Sequence, residues 1–186
     1  DWWYHNLGSV TGAGVAELGR LAQTGAATLT ATNLQNVTGC ETWVLGTDQA
    51  YTITLHDNNV ADGATLEIEG WGVTTSTNAI TVNGSAETDG HLIIGGGAGN
   101  DVLTGGAGSD ELIGNAGADT LTGGGGRDTL EGGDGADTFA SATGDGTDVI
   151  EDFTSADDSL SFDTAAGGFT YIASTNSRVV SDTAQG

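Results

Sequence analysis

Cut into nines, residues 96–140 place an apolar side chain at the same point of every segment: GGAGNDVLT, GGAGSDELI, GNAGADTLT, GGGGRDTLE and GGDGADTFA. Position eight is large and apolar (Leu103, Leu112, Leu121, Leu130, Phe139), position six is aspartate, and positions one and four are glycine. A flexible glycine-rich linker accounts for the glycine, but not for an aspartate and an apolar residue locked to one period. The pattern predicts a six-residue turn followed by a three-residue strand. Strand alternation points position eight inward and neighbours such as Val102 or Thr104 outward. Glycines at positions one, two and four are expected to supply positive φ angles and side-chain-free space. Two units then close one flattened solenoid turn with a strand on each side, and turns stack at roughly 4.8 Å.

A sixth, imperfect unit follows Ser141 and Ala142: Thr143 to Glu151 keeps glycine at positions two and four, Asp148 at six and Ile150 at eight. Beyond it, Phe153, Leu160, Phe162 and Phe169 are expected to cap the last open turn. Before residue 96 the nine-residue rule is absent, yet short apolar β segments recur at 27–30, 42–45, 51–55, 65–69, 79–82 and 91–94, separated by Asn, Asp, Gly and Thr. Their spacing suits wider solenoid rungs running into the repeats. Residues 1–26 place Trp2, Trp3 and Tyr4 ahead of Leu7, Val15, Leu18 and Leu21, and a solenoid end needs a cover. The expected organisation is a cap or docking segment at 1–26, rungs at 27–95, a repeat roll at 96–153 and capping strands at 154–186.

Charge narrows the function. With 26 Asp and Glu against three Arg and Lys, the net charge is -23 and the pI about 4.1. Nucleic acid and anionic membrane surfaces are therefore excluded as partners, and a cation is the natural one. No apolar run of about 18 residues exists to span a bilayer as a helix. The single Cys40 rules out an intrachain disulfide framework. His5, His56 and His91 stand apart, with no H-E-x-x-H or G-x-S-x-G, and His56-Asp57 reads as a loop pair, so no enzyme activity is expected. A chain that begins at Asp1 without methionine reads as a processed product or a piece of a longer one.

Residues 18 apart lie above one another, so Asp101 stacks on Asp119 and Asp137 along one edge and Asp110 on Asp128 along the other, where Asp148, two inserted residues further on, is expected to pair with Asp128. Two buried leucines and about 18 backbone hydrogen bonds give one turn roughly 21–24 kcal/mol, against roughly 27 kcal/mol for ordering its residues. Stacked like charges add to the deficit, and a divalent cation reverses that contribution. Two carboxylates with turn carbonyls form an all-oxygen cage that suits Ca²⁺ better than Zn²⁺, and better than Mg²⁺, which keeps its waters. About four interior sites are expected.

The nonapeptide G-G-x-G-x-D-x-(apolar)-x resembles that of the RTX proteins, the hemolysin-type calcium-binding family. The resemblance implies an all-β, right-handed parallel β-solenoid ending in a calcium-binding β-roll that holds several Ca²⁺ ions. It implies side-chain ligands at Asp101, Asp110, Asp119, Asp128 and Asp137, with Asp148 in the sixth unit. Backbone carbonyls complete each shell, from Gly96, Ala98 and Gly99; Gly105, Ala107 and Gly108; Gly114, Ala116 and Gly117; Gly123, Gly125 and Gly126; and Gly132, Asp134 and Gly135. Asn115 departs from glycine at position two, and Arg127 sits beside Asp128. The segment from Gly84 to Gly95 is similar to the segments that lead into the repeats of secreted RTX adhesins and surface-layer proteins. Type I secretion and an extracellular location are further implications, although Ser181 to Gly186 carries no recognisable export signal. The expected function is a calcium-binding structural or adhesion protein that folds on Ca²⁺ and assembles with itself as an oligomer, lattice or filament. The alternative is the RTX module of a larger secreted protease, lipase or polysaccharide-modifying enzyme. An ice-binding face is disfavoured, because Thr104, Thr122 and Ser109 form no full outward rank.

Overall fold

Burial alternates along one short strand after another, as period-two side-chain direction requires. In the computed structural model, which describes residues 5–6, 20–23, 27–30, 34–35, 37–46, 48–141, 144–162, 169–173 and 178–182, these strands form two facing sheets. Ten belong to one sheet: β1 (His5–Asn6), β2 (Arg20–Gln23), β4 (Thr42–Leu45), β6 (Thr65–Glu69), β8 (His91–Gly95), β10 (Glu111–Ala116), β12 (Thr129–Asp134), β14 (Thr147–Ile150), then β17 (Arg178–Asp182) and β16 (Phe169–Ala173). Seven form the other: β3 (Ala27–Leu29), β5 (Tyr51–Thr54), β7 (Ile80–Asn83), β9 (Val102–Thr104), β11 (Thr120–Thr122), β13 (Thr138–Ser141) and β15 (Ser159–Phe162). The chain alternates between the sheets from β2 to β15 and every pairing in that stretch is parallel, so the fold is an all-β parallel solenoid.

Register stacks the core into two columns. One runs Trp43, Ile68, Ile94, Leu112, Leu130, Ile150. The other runs Ile53, Val82, Leu103, Leu121, Phe139, with Leu160 partly buried above it. The position-eight side chains are 0–2% exposed, whereas Val102 beside Leu103 is 43% exposed. Rung width narrows on entering the repeats. Stacked partners lie 29 residues apart at Tyr51 and Ile80 but 18 apart at Ile93 and Glu111.

Three features differ from the reading of the sequence. First, alternate repeats are not equivalent: β9 and β11 are three residues long, but β10 and β12 run on through positions one to three of the next unit. Second, position-one glycines do not take positive φ; that conformation falls at position two (Asn115, Gly124, Gly133, Gly144) and position four (Gly117, Gly126, Gly135, Gly146), and only from the third repeat onward. Asn115 fits because asparagine tolerates the left-handed region and its Nδ2 donates to the Gly96 carbonyl at 3.0 Å. Third, the expected cover takes the form of a rung: Ser159–Phe162 pairs with β13 as the terminal strand of its sheet, and Phe153, Leu160 and Phe162 pack partly buried against the core. Phe153 tilts against Phe139 with ring centroids 6.1 Å apart. The parallel stack ends where β17 pairs antiparallel with β14 and with β16. At the other end β1 and β2 carry the sheet into the segment expected to cap it. Trp2, Trp3, Tyr4, Leu7, Val15 and Leu18 lie outside the described residues, as do the side chains of Leu21 and Phe169.

Candidate metal centre

A turn joining stacked strands leaves amides aimed along the axis, and buried amides need acceptors. Position six supplies them. On one edge Asp101 Oδ1 accepts the Ile80 amide at 2.7 Å, Asp119 Oδ1 the Asp101 amide at 2.7 Å, Asp137 Oδ1 the Asp119 amide at 2.8 Å, and Asp158 Oδ1 the Asp137 amide at 3.0 Å. On the other edge Asp110 Oδ1 accepts from Leu92, Asp128 from Asp110, and Asp148 from Asp128, at 2.8, 2.8 and 3.1 Å. The structure thus stacks the expected aspartates at the expected spacing, but each carboxylate reaches the backbone of the turn below. The six position-six aspartates, Asp101 to Asp148, are 1–4% exposed.

Their second oxygens divide the set. Asp101 Oδ2 and Asp110 Oδ2 accept the position-two amides of their own turns, Gly97 and Gly106, both at 2.6 Å. In the next two repeats the position-two residue takes positive φ. There Asp119 Oδ2 and Asp128 Oδ2 are buried with no hydrogen-bond partner. Position-one glycines make room for these oxygens. A Cβ at Gly96, Gly114, Gly123 or Gly132 would strike Oδ2 of its own repeat's aspartate, and at Gly105 it would strike the Gly123 carbonyl. Position-four carbonyls stack along the axis, with Gly99, Gly108, Gly117 and Gly126 facing glycines 117, 126, 135 and 146 one turn on. Position three contributes differently. Ala98, Ala107, Ala116 and Gly125 donate their amides to carbonyls below, and Asp134 lends its carbonyl to the Gly117 amide while its side chain is exposed. Arg127 is exposed beside the buried Asp128.

Electrostatics follows from this geometry. Burial pushes Asp119 up to about 7, against the Asp101 amide, and the Asp101 and Asp137 carboxylates push the same way. Burial likewise raises Asp128, helped by Asp148 and Asp110, and it raises Asp148. Asp101 and Asp110 are raised by burial too, with two amides each opposing it. Orphaned buried carboxylate oxygens, stacked turn carbonyls and glycine-walled space form an oxygen-only donor set, and it fits Ca²⁺. Asp119 and Asp128, with their stacked neighbours and the turn carbonyls, would hold the ion. Its double charge would offset the buried anions.

Two ladder members escaped the reading of the sequence as acceptors. Asp158 precedes Ser159-Leu160-Ser161, a D-x-apolar-x remnant that could have marked it. Asp152 accepts the Gly132 and Gly133 amides at 3.0 and 2.6 Å, and nothing in the period points to it. Below the repeats the acceptors reach upward instead. Asp48 takes the amides of Thr74 and Thr75, both their hydroxyls, and Asn78 Nδ2. These bonds, Thr75's first, hold it down at about 2. Asp57 accepts from the Thr88 amide and hydroxyl. Loops 70–80 and 84–92 therefore receive carboxylates from the turn below and, at Ile80 and Leu92, from the turn above.

Comparison with known proteins agrees with this geometry. Residues 93–121 and 113–148 match the profile of the RTX calcium-binding nonapeptide repeat, four copies. Eighteen residues, the length of two nonapeptides, are 94% identical to part of a choline-sulfatase of Rhizobium meliloti (strain 1021), covering 10% of this chain and 4% of that one. No solved structure matches the chain. Residues 93–148 are a stack of RTX calcium-binding nonapeptide repeats, carried within an all-β parallel solenoid.

Proposed function

We propose that this chain is a non-catalytic, extracellular structural or adhesive module whose roll is completed by several Ca²⁺ ions. The observation that carries the reading is the pair of buried, unpartnered oxygens, Asp119 Oδ2 and Asp128 Oδ2, each inside a column of like charge. Where Ca²⁺ is scarce, that repulsion disfavours the stack; at the millimolar level of an extracellular medium, binding and folding are one event. A chain secreted unfolded and ordered outside the cell fits this behaviour. Self-association into an oligomer, lattice or filament is the adhesive form of the same reading.

A Ca²⁺ titration followed by far-UV circular dichroism and light scattering tests it, with Mg²⁺ as control. The expected result is a cooperative coil-to-β transition with Ca²⁺ alone, and rising scattering identifies assembly. Full β structure in excess chelator overturns the folding switch. The second reading, a module of a larger secreted enzyme, is favoured by the 94% identity over 18 residues with a protein named choline-sulfatase. A catalytic sequence in the same reading frame beside these residues would establish it.

A further inference from the structure

We propose that Asp57, Glu87 and Asp89 form a calcium site of their own, outside the nonapeptides. Two consecutive loops on the second edge build it. In the lower loop His56 caps a short 3-10 turn, Asp57–Asn59, which fixes Asp57 at its start. In the upper loop the Glu87 amide donates to the Gly84 carbonyl, folding Glu87 back under the next rung. There the Ala107 amide donates to the Glu87 carbonyl, and a Cβ at Gly106 would press on Glu87 at 2.8–3.0 Å. The two loops are tied by Asp57 Oδ1, which accepts from the Thr88 amide at 3.0 Å and its hydroxyl at 2.6 Å.

The result is three carboxylates with one oxygen of each within 4.8 Å of the other two. Ligand oxygens across a Ca²⁺ ion lie at most about 4.6–5.2 Å apart, because each Ca–O distance is about 2.3–2.6 Å. The second observation is Glu87 itself. It is 0% exposed, Oε1 accepts the Gly90 and Asp89 amides at 3.1 and 3.4 Å, and Oε2 is buried without a partner. Burial and the facing Asp57 and Asp89 carboxylates all disfavour its charge. The chain's cationic side chains other than histidine are Arg20, Arg127 and Arg178, none of them in these loops. A hard divalent cation supplies the missing countercharge and takes the orphaned oxygen, while exposed Asp89 leaves the site open to solvent. The site stands one turn below Asp110, so it extends the ion column beyond the repeats.

The test is the number of Ca²⁺ ions bound per full-length chain, measured by equilibrium dialysis and native mass spectrometry with Ca²⁺ as the probe. The parent is compared with Glu87→Gln, which keeps the buried shape, and Asp89→Asn, an exposed position that leaves the core intact. Each variant is expected to bind one ion fewer, or one ion at least roughly tenfold more weakly, since ligand charge sets Ca²⁺ affinity. Far-UV circular dichroism in saturating Ca²⁺ should not change. An unaltered count and affinity in both variants overturns the site. Ions lost on Asp119→Asn but not on Asp89→Asn refute this site and leave the repeat sites standing.

Discussion

Asp119 has two oxygens with opposed consequences. Oδ1 ties its turn to the Asp101 amide, while Oδ2 is a buried anionic oxygen without a partner. Asparagine keeps the first and neutralises the second. Asp119→Asn is therefore expected to raise the fraction of β structure in chelator at pH 8, each kcal/mol of repulsion relieved shifting the folding equilibrium about fivefold. The same change should weaken Ca²⁺ binding, so the fraction folded without Ca²⁺ and the melting temperature in saturating Ca²⁺ should move in opposite directions. Equal destabilisation in both conditions would mean that Oδ2 serves packing alone. Glycine at position one belongs to the same residue-level logic: its lack of a Cβ makes space for an oxygen rather than permitting a turn angle.

At the level of the element, strands were the legible part. The segments expected at 42–45, 65–69 and 91–94 coincide with β4, β6 and β8 to within a residue, because burial of one face imposes a period that composition reveals. The spacing of the aspartates was legible for the same reason. What each carboxylate bonds was not, since it depends on whether a position-two amide points inward or away, and glycine permits both. Loop contacts between distant rungs were equally hidden. Asn59 is 1% exposed, and its Nδ2 donates to the Leu34 and Val37 carbonyls at 2.7 and 2.8 Å, binding the rung below to β5 and β6 through one amide group. No period marks it. Asn59→Ala takes the amide donor from the part-buried Val37 carbonyl and one of two donors from the Leu34 carbonyl, and should cost about 1–3 kcal/mol. Urea unfolding in saturating Ca²⁺ measures this, and a shift within error would show that water replaces the amide.

For the whole molecule, a net charge of -23 is concentrated in part into two buried columns, which links stability to pH. Burial raises Asp119 from its ordinary 3.8 to about 7, so between those values the folded metal-free chain binds more protons than the unfolded one. Its stability therefore falls as pH rises from about 4 through about 7, the reverse of a salt-bridged carboxylate. In chelator the fraction of β structure should be higher at pH 5 than at pH 8; in millimolar Ca²⁺ the melting temperature should be higher at pH 8, because protons compete with the ion. The same order in both buffers would exclude the ladders as the titrating groups. Finally, the loops gripped from both neighbours, 70–80 by Asp48 and Asp101 and 84–92 by Asp57 and Asp110, set a sequence in time. Order that begins there can spread toward the C terminus one turn after another, because each newcomer carries its acceptor to a donor already waiting. Melting would retrace that path from the far end.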